Sequence, residues 1–351
     1  MVRSEEQLAT SLTFSLVEQA ETAVTALPAQ IAQKYPHTEV KQRLTDVDQT
    51  VQDGQNSLLE AATAHRRIAT CAGEAVLAMV LFRNAASGND EYSAQVALCN
   101  ALAATMAAKS SATTTAAKLD QATPKITESV ANAGVAKLAL DNPGTTRSET
   151  VRKTVRRISS RLDSTIGPMV ALRRLDPSNQ TVTDVDAKLQ NARTITYDII
   201  ATVENLNKQG DRASAGLEEL VNELGVAKNI LSHRLTSQVF TEHSANLALA
   251  ISAIDQLRNQ ALNKVTADSL ASDVSALLAN LTSGLEHSGE DMGRVAERVA
   301  IGRTALTGAF NMLGLAANST ANTLLPQIAT LRSDLAASRE KLNTLDAAYA
   351  E

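Results

Sequence analysis

Five histidines and two cysteines are the side chains of this chain best suited to metal binding or nucleophilic chemistry, and their spacing does little to combine them. His37, His65, His233, His243 and His287 include no pair three or four residues apart, so no helical face presents two imidazoles to one metal ion. His233 and His243, ten residues apart, fall on different sides of a helix. Each histidine is therefore expected at a solvent-facing or boundary position. Cys71 and Cys99 do not form a disulfide framework, and both are expected as reduced, buried, small apolar residues. The chain has no G-x-S-x-G, no glycine-rich phosphate loop ending in Lys and no H-E-x-x-H. Gly302, Gly308 and Gly314 stand six apart, which fits close helix packing and not a nucleotide turn. No catalytic residue, cofactor site or metal site is assigned, and neither enzyme activity nor a small-molecule substrate is expected.

Charge offers more. Between Arg147 and Arg174 the cations are Arg147, Arg152, Lys153, Arg156, Arg157, Arg161, Arg173 and Arg174, against only Glu149 and Asp163. Val151, Val155, Ile158 and Leu162 make the apolar stripe of this segment. Arg152, Lys153, Arg156, Arg157 and Arg161 flank that stripe and are the candidate contacts to an anionic surface. The competing expectation is that they pair with acidic faces of neighbouring helices, which a net charge of −5 makes easy. The same net charge and a pI near 5.7 argue against a nucleic-acid partner.

The elements that must carry these residues are helical. Alanine is roughly a sixth of the chain, Trp is absent, and there are four Phe and four Tyr, so any core is thin and made of Ala and Leu between closely spaced helices. Apolar residues recur at alternating steps of four and three. Val40, Leu44, Val47, Val51, Gly54, Leu58 and Ala61 form one series; Val182, Val185, Leu189, Ala192, Ile195, Ile199, Thr202 and Leu206 another. Leu270, Val274, Leu277, Leu281 and Leu285 make a third, and Leu324, Ile328, Leu331, Leu335, Ser338, Leu342, Leu345 and Tyr349 a fourth. These heptads predict an all-α, elongated antiparallel bundle of long, coiled-coil-like helices.

Punctuation divides the chain at Pro36, at the turn Ser87–Asp90, at Pro124, at Asp141-Asn142-Pro143-Gly144, at Gly167-Pro168 and at Asp176–Asn179. The division predicted is an N-terminal segment 1–140, a basic helix and connector 141–180, and a C-terminal long-helix segment 181–351 that packs alone or with the first. Residues 68–108 read as an apolar hairpin with a polar tip: Ile68 to Phe82 contains one charge, Glu74, and Tyr92 to Ala108 none. Each arm is shorter than the roughly 20 residues that span a bilayer as one helix. Thr304 to Leu331 has no charged residue and is expected at the centre of the bundle or in a subunit interface.

A chain of long helices without a chemical site is expected to be a non-enzymatic scaffold, assembly subunit or helical adaptor, with protein partners or copies of itself. The second expectation is a membrane-active protein, such as a pore-forming toxin component, that conceals the apolar hairpin until it meets an anionic membrane. Glu5 and Glu6 stand where a secretory signal needs an apolar core, so a cytoplasmic protein, or one exported without a cleaved signal, is expected.

Overall fold

Ser4 opens the first helix by accepting the Gln7 N–H at 3.1 Å, and Glu5 and Glu6 occupy the first turn, where the helix dipole favours negative charge. The structure, a computed structural model, describes residues 4–259 and 264–350, with the side chains of 142–148 and 264–266 outside the description. Helix α1 (Glu5–Lys34) is followed by α2 (His37–Ser87), α3 (Glu91–Ser164), α4 (Ile166–Leu175), α5 (Gln180–His233), α6 (Ser237–Asn259), α7 (Lys264–Ser319) and α8 (Leu325–Ala348). The protein is all-α, 95% helical, and its long helices pack antiparallel. A π-helical turn, Thr320–Leu324, joins α7 to α8 just before Pro326, whose missing N–H interrupts the regular ladder there.

The heptad series lie on the buried faces. Val40 through Ala61 is buried without exception, and Leu324 through Leu345 likewise, with Tyr349 partly covered. In the other two series the seam drifts by one residue. Thr196 and Val203 are buried beside half-buried Ile195 and Thr202, and Ala271 and Leu278 beside half-buried Leu270 and Leu277. An untwisted helix of 3.6 residues per turn shifts in this way against a repeat of 3.5.

Breaks occur where the chain can satisfy its freed backbone groups. At the hairpin tip Asn89 adopts φ 56°, a left-handed conformation Asn tolerates, and Asp90 Oδ1 accepts the Ser93 N–H at 3.0 Å to start α3. Asn179 starts α5 by accepting the Thr181 N–H at 3.0 Å. Two predicted breaks are absent. Helix α3 runs unbroken past Pro124 and through 141–144. Around Pro124 the flanking Leu119, Ala122 and Ile126 are buried, and packing on both sides of the proline offsets its cost of about 3 kcal/mol. At 141–144, buried Leu140 and Val151 bracket the turn-like sequence. Helix α5 runs past Gly210 and α7 past Gly289, and α5 and α6 are separated at 234–236.

The chain forms two compact units, each assembled from separated segments. Unit 1 comprises Met1–Leu44, Val135–Glu218 and Thr307–Glu351; unit 2 comprises Thr45–Gly134 and Glu219–Leu306. Unit 1 buries mostly large aliphatic side chains, among them Val17, Leu27, Ile158, Leu189, Ile199 and Leu335. The hairpin arms of unit 2 bury many alanines, including Ala72, Ala75, Ala78, Ala94, Ala97 and Ala101, interspersed with Ile68, Met79, Phe82 and Leu98.

Candidate functional site

In unit 1 the apolar stripe Val151, Val155, Ile158 and Leu162 is buried, which fixes the direction in which the basic side chains of α3 point. Arg152 lies 3.4 Å from Glu204 of α5, and Lys153 is 3.2 Å from Glu149 on its own helix. Arg156, Arg157 and Arg161 are exposed, and among the described residues no carboxylate forms an ion pair with any of them. Arg173 pairs with Asp186 at 2.9 Å, whereas Arg174 is exposed and likewise unpaired. The Arg147 side chain lies outside the described residues. Just beyond these cations, α4 buries Met169 and Leu172 and exposes Ile166, Val170 and Leu175. The charge pattern points to α3 alone; the outward apolar residues of α4 are legible only from their spacing against Met169 and Leu172.

Unit 2 carries the apolar hairpin, and its arms are two-faced. Their packed side is as described above; on the outer side Leu77 is 61% exposed, Leu81 52% and Tyr92 81%, with Val80, Val96 and Met106 also outward. One stretch within residues 5–87 is apolar enough by composition to cross a membrane, a property that core helices share, and only 39% of it is buried. The expectation that both cysteines are buried holds for Cys71 and fails for Cys99, which faces outward; both thiols are free.

The expectation of solvent-facing or boundary histidines is corrected at two of five positions, His37 and His65. His37 and His65 are buried and His243 is half-buried, while His233 and His287 are exposed. In unit 2, His65 and His243 stand edge-on to Phe240, each with ring centroids 5.7 Å from it. Each ring fills a notch at a glycine of α7. A Cβ on Gly289 would lie 3.1 Å from His65 Cε1, and one on Gly284 3.1 Å from His243 Cε1. His65 Nε2 is 3.1 Å from Ser288 Oγ. Burial lowers the pKa of both imidazoles. In unit 1, His37 packs beside Tyr35 and against Gly210, and burial lowers its pKa to about 4. The signal that locates these three is phase: His37 precedes Val40 by three, His65 stands four after Ala61 and three before Ile68, and His243 stands three after Phe240 and four before Leu247.

A groove of about 390 Å³ beside His37 is lined by Tyr35, Asn207, Asp211, Ser214 and Glu218. Tyr35 donates to Asn207 Oδ1 at 3.0 Å, and burial pushes its pKa up to about 12. Ser214 donates to Asp141 at 2.5 Å, and His37 Nδ1 has no hydrogen-bond partner, so the hydroxyl is paired with a carboxylate and not with the imidazole. Among the described residues no three His, Cys, Asp or Glu side chains converge as a metal site. The charge-free stretch 304–331 is not central. Leu306, Leu313 and Leu324 are buried, whereas Asn311, Leu315, Asn318 and Asn322 face outward.

Fold and surface together define an all-α bundle of long helices whose distinctive residues lie on outer faces. No family model matches the chain, and no curated protein matches it in sequence.

Proposed function

We propose that this chain is a non-enzymatic structural or interaction protein, a scaffold, assembly subunit or helical adaptor, acting through helix faces. The outward row of Leu77, Val80, Leu81, Tyr92 and Val96 carries the proposal. Helix formation and packing of the hairpin already use the opposite face, so these large side chains add nothing to the core. Full burial of such a side chain is worth about 1.5–3 kcal/mol, so covering the exposed half of each contributes about 1 kcal/mol. Sedimentation velocity over a range of concentrations tests the reading. Wild type should associate as concentration rises, and Leu77→Asp with Leu81→Asp should hold it monomeric with unchanged helicity. A wild type that sediments identically at every concentration, or association untouched by the pair, would count against it. A second reading, a membrane-active protein, draws on the same face, because one bare apolar side is what lipid would cover. Leakage from loaded vesicles, lost in the same double variant, would favour that reading.

A further inference from the structure

We infer that the end of unit 1 formed by the last turns of α3 together with α4 is a docking surface for anionic lipid headgroups. The inference does not depend on the hairpin. Arg156, Arg157 and Arg161 project from the exposed side of α3, separated only by small or buried residues, and Arg174 projects from α4. Their neighbours Arg152, Lys153 and Arg173 are each engaged with a carboxylate, so the protein neutralises part of the basic segment and leaves the outward part uncompensated. Exposed arginines left without a carboxylate make a local positive field that attracts an external anion, even in a chain whose net charge is negative.

The apolar side chains beside the cations select the anion. Ile166, Val170 and Leu175 are exposed on the ten-residue α4, next to Arg173 and Arg174. A short helix with outward aliphatic residues and flanking arginines suits the headgroup–acyl boundary, where the aliphatic parts enter and the guanidinium groups meet phosphate and carboxylate. Nucleic acid would gain from interleaved aromatic side chains, and α3 and α4 carry none here. Tyr197 of α5, 3.4 Å from Asp163, is a single neighbouring ring, and a net charge of −5 repels a polyanion beyond the cluster. An acidic protein would use the cations but leave the aliphatic residues to chance.

The test is co-sedimentation with vesicles of phosphatidylcholine alone and of phosphatidylcholine mixed with phosphatidylserine. Wild type should bind the mixed vesicles, release them as salt is raised, and ignore the neutral ones. A cation near an anionic surface is worth about 1 kcal/mol, roughly fivefold in binding, so R156Q/R157Q/R161Q should weaken binding on the order of a hundredfold. The matching lysine triple should retain most of it. R67Q/R212Q/R332Q, which removes the same charge from exposed arginines elsewhere, should weaken it far less. Equal losses in the two glutamine triples would show that overall charge and not this surface governs binding. Wild type that ignores phosphatidylserine vesicles but binds an acidic polypeptide or duplex DNA would overturn the lipid assignment.

Discussion

The core of unit 1 and the hairpin arms of unit 2 solve the packing of long helices in opposite ways. The core of unit 1 is a set of large aliphatic residues, and polar links tie its helices. Asp334 of α8 receives Lys188 at 3.1 Å and Asn191 at 2.6 Å from α5, Glu21 of α1 meets Arg339 at 3.1 Å, and Tyr349 donates to Asp176 at 2.7 Å. In the hairpin of unit 2 much of the packed face is alanine, and several of the largest residues point out. A thick aliphatic core spends its apolar area on stability. An alanine seam brings the helices close while leaving large side chains available outside. The contrast assigns unit 1 a core fixed by cavity energetics and unit 2 an outer face that is dispensable for folding.

The largest expected effect breaks the comparison most directly. Leu335 is fully buried in unit 1, and Leu335→Ala should destabilise the protein by about 2–4 kcal/mol. Leu81→Ala, on the outer side of unit 2, should change stability by about half a kcal/mol or less. Denaturant unfolding of both variants measures the difference. Comparable losses would mean that the outer hairpin face is packed in solution, against a second copy if the loss depends on concentration.

The heptads made the fold legible because burial on one face repeats along every long helix, and the C-terminal series from Leu324 to Leu345 needed no adjustment. The missed features are those in which tertiary packing overrides local chemistry. Pro124 and the Asp141–Gly144 segment have the composition of breaks, but their neighbours are held by other helices. Histidine has no fixed preference for inside or outside, so only phase distinguishes buried His65 from exposed His287. The direction of the basic side chains on α3 followed from the Val151–Leu162 stripe. Which of them lack a carboxylate did not, because Glu204 comes from a distant part of the chain.

Those histidines give the second prediction, an acid sensitivity shared by the two units for the same reason. Burial favours the neutral imidazole, so the unfolded chain binds the proton more readily than the folded one. The stabilisation is complete above the ordinary value of 6.5 and disappears as pH falls toward the folded value, about 4 for His37. His37 alone should cost about 2 kcal/mol between pH 7 and pH 5. His65 and His243 act in the same direction. Asp176 and Asp184, held low by Asn179 and Lys341, lose their contribution only below the ordinary carboxylate value of 3.8, outside this window. Unfolding free energies at the two pH values test the sign. His37→Gln should remove part of the slope, and a slope unchanged by His37→Gln would place the titration elsewhere.

The smallest effect sharpens the comparison within unit 2, on one helix and one turn apart. Gly293 of α7 faces open space, with nothing within 4 Å of where a Cβ would stand, so Gly293→Ala should stabilise the protein by about 0.5–1 kcal/mol through helix propensity alone. Gly289 offers the same propensity gain, but its new methyl would meet His65 Cε1 at 3.1 Å. The ring cannot easily retreat, since Phe240 stands on it and Ser288 Oγ is 3.1 Å from Nε2. An overpacking cost of about 1–3 kcal/mol then outweighs the gain, and Gly289→Ala should lower the melting temperature where Gly293→Ala raises it. The notch explains the difference only if the imidazole is its cause. In a His65→Ala background, Gly289→Ala should therefore change sign and match Gly293→Ala, a coupling that a double-mutant cycle isolates. If Gly289→Ala stays destabilising without the ring, the glycine serves the backbone of α7, and the histidine merely occupies space beside it.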